Sequence, residues 1–266
     1  MVKVIACANQ KGGVGKTTTC INLAASLTAA KRKVLVVDLD PQGNATMGSG
    51  INKLSLEHSI TNLLLGEAVI GEVILHTEPG EYDLIPANGE LSATEVALFR
   101  TKDREFRLRR ELDKVKACYD YVLIDCPPSL NIVTLNGLVA ADSVLITMQC
   151  EYFALEGLSS LMDTINQLQR SANPKLELEG ILRTMYDNRN CLSQEVSSQL
   201  SQHFKEKLYR TIIPRNIRLA EAPSFGAPVL HYDKRSAGAQ AYLAFAGEFL
   251  QRQKEKQVEE KQLAIE

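Results

Sequence analysis

The stretch Asn9-Gln10-Lys11-Gly12-Gly13-Val14-Gly15-Lys16-Thr17-Thr18 joins an apolar, strand-like run to a helical pattern. A strand, a glycine-rich loop and a helix in this order are the context that a phosphate-binding loop requires. The three glycines let successive backbone N–H groups converge on phosphate oxygens, and the N-terminus of the following helix adds positive potential. A tight strand-to-helix turn would explain the glycines but not the Lys-Thr-Thr that follows them. The stretch therefore predicts a binding site for nucleotide phosphates.

Two side chains of this loop suit the phosphates and a metal ion. Lys16 offers a positive charge to the β- and γ-phosphates, and the Thr17 hydroxyl is an oxygen ligand of the kind that Mg²⁺ prefers. The residues that we predict to bind the nucleotide here are Lys11, Gly12, Gly13, Val14, Gly15, Lys16, Thr17 and Thr18.

Short apolar runs alternate with amphipathic stretches along the chain. The runs read as buried strands, and the stretches between them are helical by length and spacing. This alternation predicts an α/β fold: a single-domain, doubly wound, mostly parallel sheet with helices on both faces. The predicted strands are 2–8, 34–37, 82–85, 121–124, 143–148 and 180–185. The predicted helices are 17–30, 91–115, 132–140, 155–170 and 192–208.

Composition limits the possible organisation and partners. Of the 266 residues, 45% are hydrophobic and the formal net charge is −2, so one sizeable core is expected and any contact with a polyanion must be local. We predict one P-loop domain over residues 1–250 and a polar tail over 251–266, a solvated and frayed helix rich in Gln, Lys and Glu. The scattered cysteines and histidines predict no zinc site. No leader pattern or membrane-spanning run is present, which favours the cytoplasm and no membrane contact.

Carboxylates follow two of the predicted strands. Asp38 and Asp40 end the run 34–37 and lead into a Pro-Gly loop, and Asp125 ends the run 121–124. Asp beside Pro and Gly is also a common turn former. However, ligands of parallel sheets bind beyond the carboxyl ends of the strands, so both elements should lie near the phosphate loop. Asp125 has the form of a Walker B residue, which holds Mg²⁺, usually through water.

The loop departs from the general G-x-x-x-x-G-K-[ST] pattern, because Gln10 stands where the first glycine belongs and Lys11 follows it. With this K-G-G-V-G-K-T arrangement the chain resembles the deviant Walker A ATPases, the family that includes ParA, Soj, MinD and the nitrogenase iron protein. The resemblance implies that Lys11 reaches the nucleotide phosphates of a second subunit, as an arginine finger does. A solvated loop lysine is the alternative.

The resemblance extends to the acidic elements. Asp-x-Asp-Pro-Gln-Gly-Asn at residues 38–44 and Asp-x-Pro-Pro at residues 125–128 match the ParA pattern. It implies that Asp40 positions and polarises the attacking water and that Asp38 supports the metal site. The catalytic residues implied are Lys11, Lys16 and Asp40, and the metal residues are Thr17, Asp38, Asp40 and Asp125.

The C-terminal half also resembles ParA and Soj, in residues 184–189, 213–216 and 218–226. On that basis Asn188, Pro214 and Arg215 are expected at the edge of the nucleotide base. The guanine-selective Asn-Lys-x-Asp box is absent from the sequence, because the nearest string, residues 52–55, lacks the aspartate. ATP is therefore the expected nucleotide.

Between Arg183 and Arg218 there are seven Lys or Arg against three acids. A patch this small would bind DNA weakly on one subunit, but two subunits double the phosphate contacts. We predict non-specific DNA binding by Arg189, Lys205, Lys207 and Arg218 in an ATP-bound homodimer. An ordinary solvated basic face is the alternative.

The resemblance further implies slow ATP hydrolysis that a ParB-type partner stimulates, in chromosome or plasmid partition at the nucleoid. A MinD-like or other cargo-positioning ATPase, or a nucleotide-gated regulator of replication or transcription, remains open. A MinD-like membrane helix would need bulky apolar residues facing basic ones, which residues 251–266 lack. An iron–sulfur reductase would need suitably placed cysteines; Cys126 is the one candidate, and a buried thiol explains it as well.

Overall fold

The computed structural model describes residues 2–263. The strands form one sheet in the order β3-β4-β2-β5-β1-β6-β7-β8. Neighbouring strands are parallel except for β3 and β4, which pair antiparallel. The strands are β1 (Lys3–Ala8), β2 (Val34–Asp38), β3 (Leu75–His76), β4 (Asp83–Ile85), β5 (Tyr121–Asp125), β6 (Ser143–Gln149), β7 (Glu177–Tyr186) and β8 (Leu208–Pro214).

Helices connect the strands and cover both faces of the sheet. They are α1 (Lys16–Ala29), α2 (Asn44–Gly48), α3 (Ile60–Leu65), α4 (Ile70–Val73), α5 (Leu91–Leu98), α6 (Arg107–Val115), α7 (Ile132–Ala140), α8 (Ala154–Ser171), α9 (Cys191–Phe204), α10 (Ile217–Glu221), α11 (Val229–Tyr232) and α12 (Ala237–Leu263). The doubly wound, mostly parallel α/β fold predicted from the sequence is thereby confirmed.

The core consists of two apolar layers, one on each face of the sheet. Successive side chains of a strand point to opposite faces, so Val4 of β1 belongs to one layer and Ile5 to the other. Helices α5, α6, α7 and α8 contribute to the first layer, and α1 and α12 contribute to the second. Burial on both faces explains why the central strands read as continuous apolar runs.

Two predicted helices differ from the structure. The helix predicted over 91–115 is interrupted between α5 and α6, where Asp103 adopts a left-handed φ of 53°. Neither glycine nor proline marks this turn in the sequence, and both segments carry a helical apolar stripe. The helix predicted over 192–208 ends at Phe204 instead. The chain after it forms a short turn and then β8, an edge strand that the sequence analysis did not predict.

The predicted boundary after residue 250 falls inside α12. The buried stripe of this helix, which includes Tyr242 and Phe249, continues to Gln253, whose exposed fraction is 4%. Gln253 donates a hydrogen bond of 2.6 Å to the buried carboxylate of Glu179, and Lys256 lies 3.5 Å from the same group. The expectation of a solvated, frayed tail is thus wrong for this part of the helix. Residues 264–266 of the predicted tail lie outside the described residues.

Candidate nucleotide-binding site

A cleft of about 490 Å³ opens at the carboxyl edge of the sheet, the edge at which the parallel strands end. The loop after β1, the loop after β2 and the loop after β5 form one side of it, and the chain around the end of β8 forms the other. The residues that line the cleft are Gly12, Gly13, Gly15, Lys16, Thr17, Thr18, Asp40, Gln42, Asn44, Pro128, Thr184, Met185, Ile213, Pro214, Arg215, Asn216, Leu219, Ala220 and Tyr242.

The loop after β1 has the backbone of an anion cradle. Gly13 and Gly15 adopt left-handed φ values of 73° and 83°, which a residue with a side chain adopts only with strain. Helix α1 begins directly afterwards at Lys16, so its free N–H groups face the loop. The Lys16 side chain is buried, and its ammonium group donates to the Lys11 carbonyl at 3.2 Å. In this geometry a bound phosphate would replace the Lys11 carbonyl as the hydrogen-bond acceptor of the Lys16 ammonium group.

Neighbouring strands fix the position of the loop. The Asn9 side chain donates to the Thr147 carbonyl on β6 at 2.7 Å and accepts from the Lys11 backbone N–H at 2.9 Å. On β7, the Thr184 hydroxyl donates to the Val14 carbonyl at 2.8 Å. The loop is therefore held from both ends before any ligand binds, which lowers the entropic cost of binding.

Asp125 is a buried carboxylate that has no partner in the described part of the chain. It ends β5, in register with Cys7 of β1 and with Asp38 of β2. Neither oxygen accepts a hydrogen bond from residues 2–263. Burial, followed by the charge of Asp38, raises the pKa of Asp125 well above its usual range, whereas the nearby Thr17 hydroxyl and then Lys16 lower it by smaller amounts. A buried, unsatisfied carboxylate indicates a missing ion or proton.

Asp38 has a different set of partners. Its carboxylate accepts from the backbone N–H and the hydroxyl of Thr46, at 2.9 and 2.7 Å, and from the backbone N–H of Asp40 at 3.1 Å. Burial raises the pKa of Asp38 to about 6, although these hydrogen bonds act in the opposite direction. Both oxygens are thus occupied by the chain itself. Asp38 organises the loop that carries Asp40, which is a less direct contribution than the metal contact implied by the resemblance.

Asp40 itself faces the cleft. Its carboxylate accepts from the backbone N–H of Gln42 at 2.9 Å, and the next turn of the loop passes through Gly43 at a left-handed φ of 59°. A Cβ atom at Gly43 would lie 2.6 Å from the Ala87 carbonyl, so only glycine allows this close approach. The Pro-Gln-Gly sequence therefore holds a carboxylate at the mouth of the cleft.

Lys11 lies apart from the rest of its loop. Residues 12, 13 and 15–18 line the cleft, whereas the Lys11 side chain is 45% exposed and contacts the carboxylate of Glu151 on the loop after β6. The ammonium group thus points away from the cleft of its own chain.

Of the three residues predicted to lie at the edge of the nucleotide base, two line the cleft and one does not. Pro214 and Arg215 line the cleft, together with Asn216. Asn188 does not line it and lies in an adjacent open depression with Tyr186 and Arg189. Several other lining residues were not predicted from the sequence: Gln42, Asn44, Thr184, Met185, Asn216 and Tyr242. Gln42 and Asn44 belong to the quoted Pro-Gln-Gly-Asn stretch and could have been chosen, but Tyr242 comes from α12 and carries no signal in the sequence.

The four predicted DNA-binding residues fall into two groups. Arg189 follows β7 and Arg218 lies on α10 after β8, so both are near the carboxyl edge of the sheet. Lys205 and Lys207 precede β8 and lie at the opposite edge, roughly 20 Å away for a seven-residue strand. The four side chains therefore do not form one continuous patch. Arg183, which contributed to the basic surplus, is buried and donates to Ser197 at 2.7 Å.

Both arginines near the cleft are paired with acids. Arg189 makes two hydrogen bonds to Asp187, at 3.0 and 2.8 Å, and this contact lowers the pKa of Asp187 to about 2. Arg218 donates to Glu221 at 2.8 Å and lies 3.4 Å from Asp233. Their charges are partly neutralised within the chain.

Two classes of site do not occur in the part of the chain that the structure describes. Residues 2–263 contain no cluster of three or more His, Cys, Asp or Glu side chains placed to hold a metal ion by themselves. Among the same residues, no helix combines the length and the apolar character that crossing a bilayer demands. A metal at Asp125 would therefore need ligands from Thr17 and from the phosphates, as Mg²⁺ in nucleotide sites has.

The chain is similar to proteins of known name over nearly its whole length. A family model described as an AAA domain matches residues 2–178. The chromosome partitioning protein ParA of Caulobacter vibrioides is 49% identical over 258 residues, which are 96% of this chain and 97% of the relative. The sporulation initiation inhibitor protein Soj of Bacillus subtilis is 50% identical over 248 residues, covering 93% of this chain and 98% of the relative.

One solved structure adds a nucleotide to the comparison. The protein named cobyrinic acid a,c-diamide synthase of Mycobacterium smegmatis, solved with bound ADP and magnesium, has a TM-score of 0.82 and 38% identity, and 96% of each chain is covered. The phosphate loop with its additional lysine, the two acidic strand ends and these relatives agree. The chain belongs to the ParA/Soj family of chromosome-partitioning ATPases.

Proposed function

We propose that the chain binds ATP and Mg²⁺ in the cleft and hydrolyses the γ-phosphate bond, and that the ATP-bound form is a homodimer that binds DNA. The single observation that carries the nucleotide assignment is the buried carboxylate of Asp125. It has no partner within residues 2–263 and it lies beside a preformed phosphate loop. The magnesium and ADP in the similar Mycobacterium smegmatis protein support the same ligands here.

Each residue of the cleft has a distinct part in this proposal. The backbone N–H groups of residues 12–16 bind the phosphates, and Lys16 exchanges the Lys11 carbonyl for phosphate oxygens. Thr17 and Asp125 hold Mg²⁺, which neutralises charge on the β- and γ-phosphates when it is bound. Asp40 stands at the mouth of the cleft, where its carboxylate orients the attacking water and accepts its proton. Pro214 and Arg215 contact the nucleotide at the other end.

Lys11 acts on the second subunit in this proposal. Its side chain points away from its own cleft, so its charge is available to phosphates that another chain presents. A cation supplied in trans stabilises the transition-state charge and makes hydrolysis depend on dimer formation. Turnover without a ParB-type partner should therefore be slow.

DNA binding follows from the same dimer. Arg189 and Arg218 lie near the carboxyl edge of the sheet, the edge that also carries the cleft, so nucleotide-driven pairing brings four arginines of two subunits to one assembly. Lys205 and Lys207 lie at the opposite edge of the sheet. They would contact only a DNA duplex that runs along the side of the subunit from one edge of the sheet to the other. Doubling the number of phosphate contacts raises both the affinity and its salt dependence. Association with the nucleoid, and release from it after hydrolysis, would follow.

The proposal is tested by the retention of duplex DNA of random sequence on the Asp40→Ala protein, which should bind ATP but not hydrolyse it. We expect retention with Mg-ATP, a loss of retention with ADP, and a steep decrease as the salt concentration rises. Retention that is equal with ATP, with ADP and without nucleotide would show that the nucleotide does not control DNA binding.

A further inference from the structure

Helix α5 ends in an exposed apolar surface. Its inner side packs into the core through Leu91, Thr94 and Leu98. On the outer side Val96 is 69% exposed, and Phe99, which follows the helix with helical backbone angles, is 62% exposed. Because the two side chains are three residues apart on a helical backbone, they are neighbours on one face. Adjacent bulky apolar side chains in solvent indicate a surface that a partner covers.

The Phe99 ring is held in place from behind. The guanidinium carbon of Arg104 lies 4.8 Å from the ring centroid, and the same guanidinium group donates to the Phe99 carbonyl at 3.1 Å. The backbone around Arg104 is fixed in turn by the buried side chain of Asn136 on α7, which donates to the Arg104 carbonyl at 2.9 Å and accepts from the Leu108 N–H at 3.1 Å. The ring is therefore oriented before a partner binds, which lowers the entropic cost of binding.

The turn after α5 carries a surplus of positive charge. Residues 99–110 contain six Lys or Arg against two acids, in a chain whose formal net charge is −2. One of the acids, Asp103, is already paired with Arg110 at 2.8 Å. This hydrogen bond lowers the pKa of Asp103, and the charges of Lys102 and Arg107 act in the same direction. The cations of the turn thus lie close to one another in space.

Three cations of this turn pair with no acid within residues 2–263. They are Arg100, Lys102 and Arg104. We call these three side chains, together with Val96 and Phe99, the basic–aromatic patch. No residue between 91 and 116 lines the nucleotide cleft, so the patch is a separate surface.

The make-up of the patch fits an acidic protein segment better than a nucleic acid or a lipid surface. A nucleic acid base would stack on the flat face of the Phe99 ring, but Arg104 covers one face of it. A lipid interface requires a longer row of bulky apolar side chains than Val96 and Phe99 provide. A segment with carboxylates and apolar side chains complements both the unpaired cations and the apolar surface.

We propose that the basic–aromatic patch is a docking site for an acidic, amphipathic segment of another protein. Apolar side chains of the segment cover Val96 and Phe99, and its carboxylates face Arg100, Lys102 and Arg104. The inference goes beyond the proposed function, because a segment on α5 leaves the nucleotide cleft open and binds with or without ATP. Such a contact would hold the chain at the location of its partner without interrupting the nucleotide cycle.

The test is the fluorescence anisotropy of a synthetic helical peptide with a stripe of leucines among glutamates, titrated with the full chain in the absence of nucleotide. We expect a dissociation constant of about 10 to 100 µM at low salt, which rises as salt is added. Val96→Ser combined with Phe99→Ser should weaken binding at least about tenfold. Lys102→Glu should weaken it about fivefold, whereas Lys102→Arg, which keeps the charge, should not.

Two substitutions outside the patch serve as matched controls. Val258→Ser removes an apolar side chain that is 55% exposed on α12, and Lys175→Glu reverses an exposed charge before β7. Both should bind the peptide as the unchanged chain does. In every variant the affinity for a fluorescent ATP analogue should stay within about twofold, which shows that the fold and the cleft are intact.

Equal peptide affinities in the patch variants and in the controls would overturn the inference, as would the absence of peptide binding at about 1 mM. The patch variants should also retain duplex DNA with Mg-ATP, and sediment with vesicles of anionic phosphatidylglycerol, to the same extent as the controls. A loss of either of these with unchanged peptide binding would assign the patch to nucleic acid or to lipid and contradict a protein partner.

Discussion

Asp38 and Asp125 are paired in register at the ends of β2 and β5, and both carboxyl groups are fully buried. Asp38 is satisfied by Thr46 and by the backbone of Asp40, whereas Asp125 has no partner within residues 2–263. Two adjacent buried carboxylates destabilise the folded chain unless a cation or a proton compensates them. The free chain therefore keeps an unfavourable site that ligand binding relieves.

We expect Asp125→Asn to stabilise the free chain and to abolish its stabilisation by Mg-ATP. Replacing the buried carboxyl group, which lacks a hydrogen-bond partner and lies beside Asp38, with a neutral amide should raise the free energy of unfolding at pH 7 by about 1 to 3 kcal/mol, the usual order of the cost of a buried polar group without a partner. Urea unfolding with and without Mg-ATP measures both effects. Asp120→Asn serves as the control, since Asp120 directly precedes β5 at the end opposite Asp125, and an asparagine there keeps an oxygen that accepts from the Lys33 N–H. A less stable free variant would contradict this account of Asp125.

Thr184→Val should weaken nucleotide binding although Thr184 was not predicted from the sequence. The substitution keeps the shape of the side chain but removes the hydroxyl that donates to the Val14 carbonyl at 2.8 Å. Loss of one such hydrogen bond is worth about 1 kcal/mol, so we expect the dissociation constant of ATP to rise about fivefold. Titration with a fluorescent ATP analogue measures this change, and Thr184→Ser should restore the affinity. Equal affinities for the valine and serine variants would exclude the hydroxyl as the cause.

The pH dependence of stability should reveal the buried carboxylate of Glu179. Burial alone would raise its pKa, but Lys3 at 2.8 Å, Lys256 and hydrogen bonds lower the pKa to about 2. Because this pKa is depressed in the folded chain, its contribution to stability is complete above about pH 4.5 and is lost as the pH falls towards 2. Glu179→Gln should therefore cost about 3 kcal/mol at pH 7 and much less near pH 2.

Urea unfolding at a series of pH values tests this prediction, with Glu177→Gln as the control on the exposed start of β7. A chain that ends at residue 250 should show a similar loss at pH 7, because it lacks both Gln253 and Lys256. A truncated chain as stable as the complete one would mean that α12 beyond residue 250 contributes nothing to the fold.

Glu221→Gln should strengthen DNA binding in the ATP-bound state. Glu221 and Asp233 both neutralise Arg218, and phosphate oxygens must compete with them for the guanidinium group. Removing one competitor should raise the affinity for duplex DNA about two- to fivefold at low salt, and by less as salt screens the charges. Fluorescence anisotropy over a salt series measures the effect. Glu206→Gln, beside Lys205 at the opposite edge, should change the affinity little. An increase of equal size in both variants would indicate only the change in net charge.

The sequence identified the phosphate loop and the acidic strand ends because each is a short, continuous motif in a definite strand context. Lys16, Asp40 and Asp125 meet in space for the reason predicted, that parallel strands end at one edge of the sheet. Thr184 lies in the segment 184–189 that the resemblance to ParA and Soj indicated, but Asn188 was chosen from it instead. Tyr242 was missed because it reaches the site through the packing of α12, for which the sequence has no local signal.

The distribution of charge along the chain did not predict where the basic side chains lie in space. Counting along the chain grouped Arg189 with Lys205, although the whole length of β8 separates Lys205 from the carboxyl edge. It also included Arg183, which the fold buries. The tail failed for a related reason: its composition is polar, but Gln253 and Lys256 have a buried carboxylate to bind. In each case the position or burial of the side chain depends on contacts with residues that are distant in the sequence.

The most direct test of the central claim is the molecular mass of the Asp40→Ala protein by light scattering, with and without Mg-ATP, repeated with Lys11→Ala added. The account predicts a monomer without nucleotide, a dimer with Mg-ATP, and a monomer in both conditions once Lys11 is removed. A dimer that survives Lys11→Ala, or a monomer with Mg-ATP in the parent protein, would contradict an ATP-driven dimer in which Lys11 acts in trans.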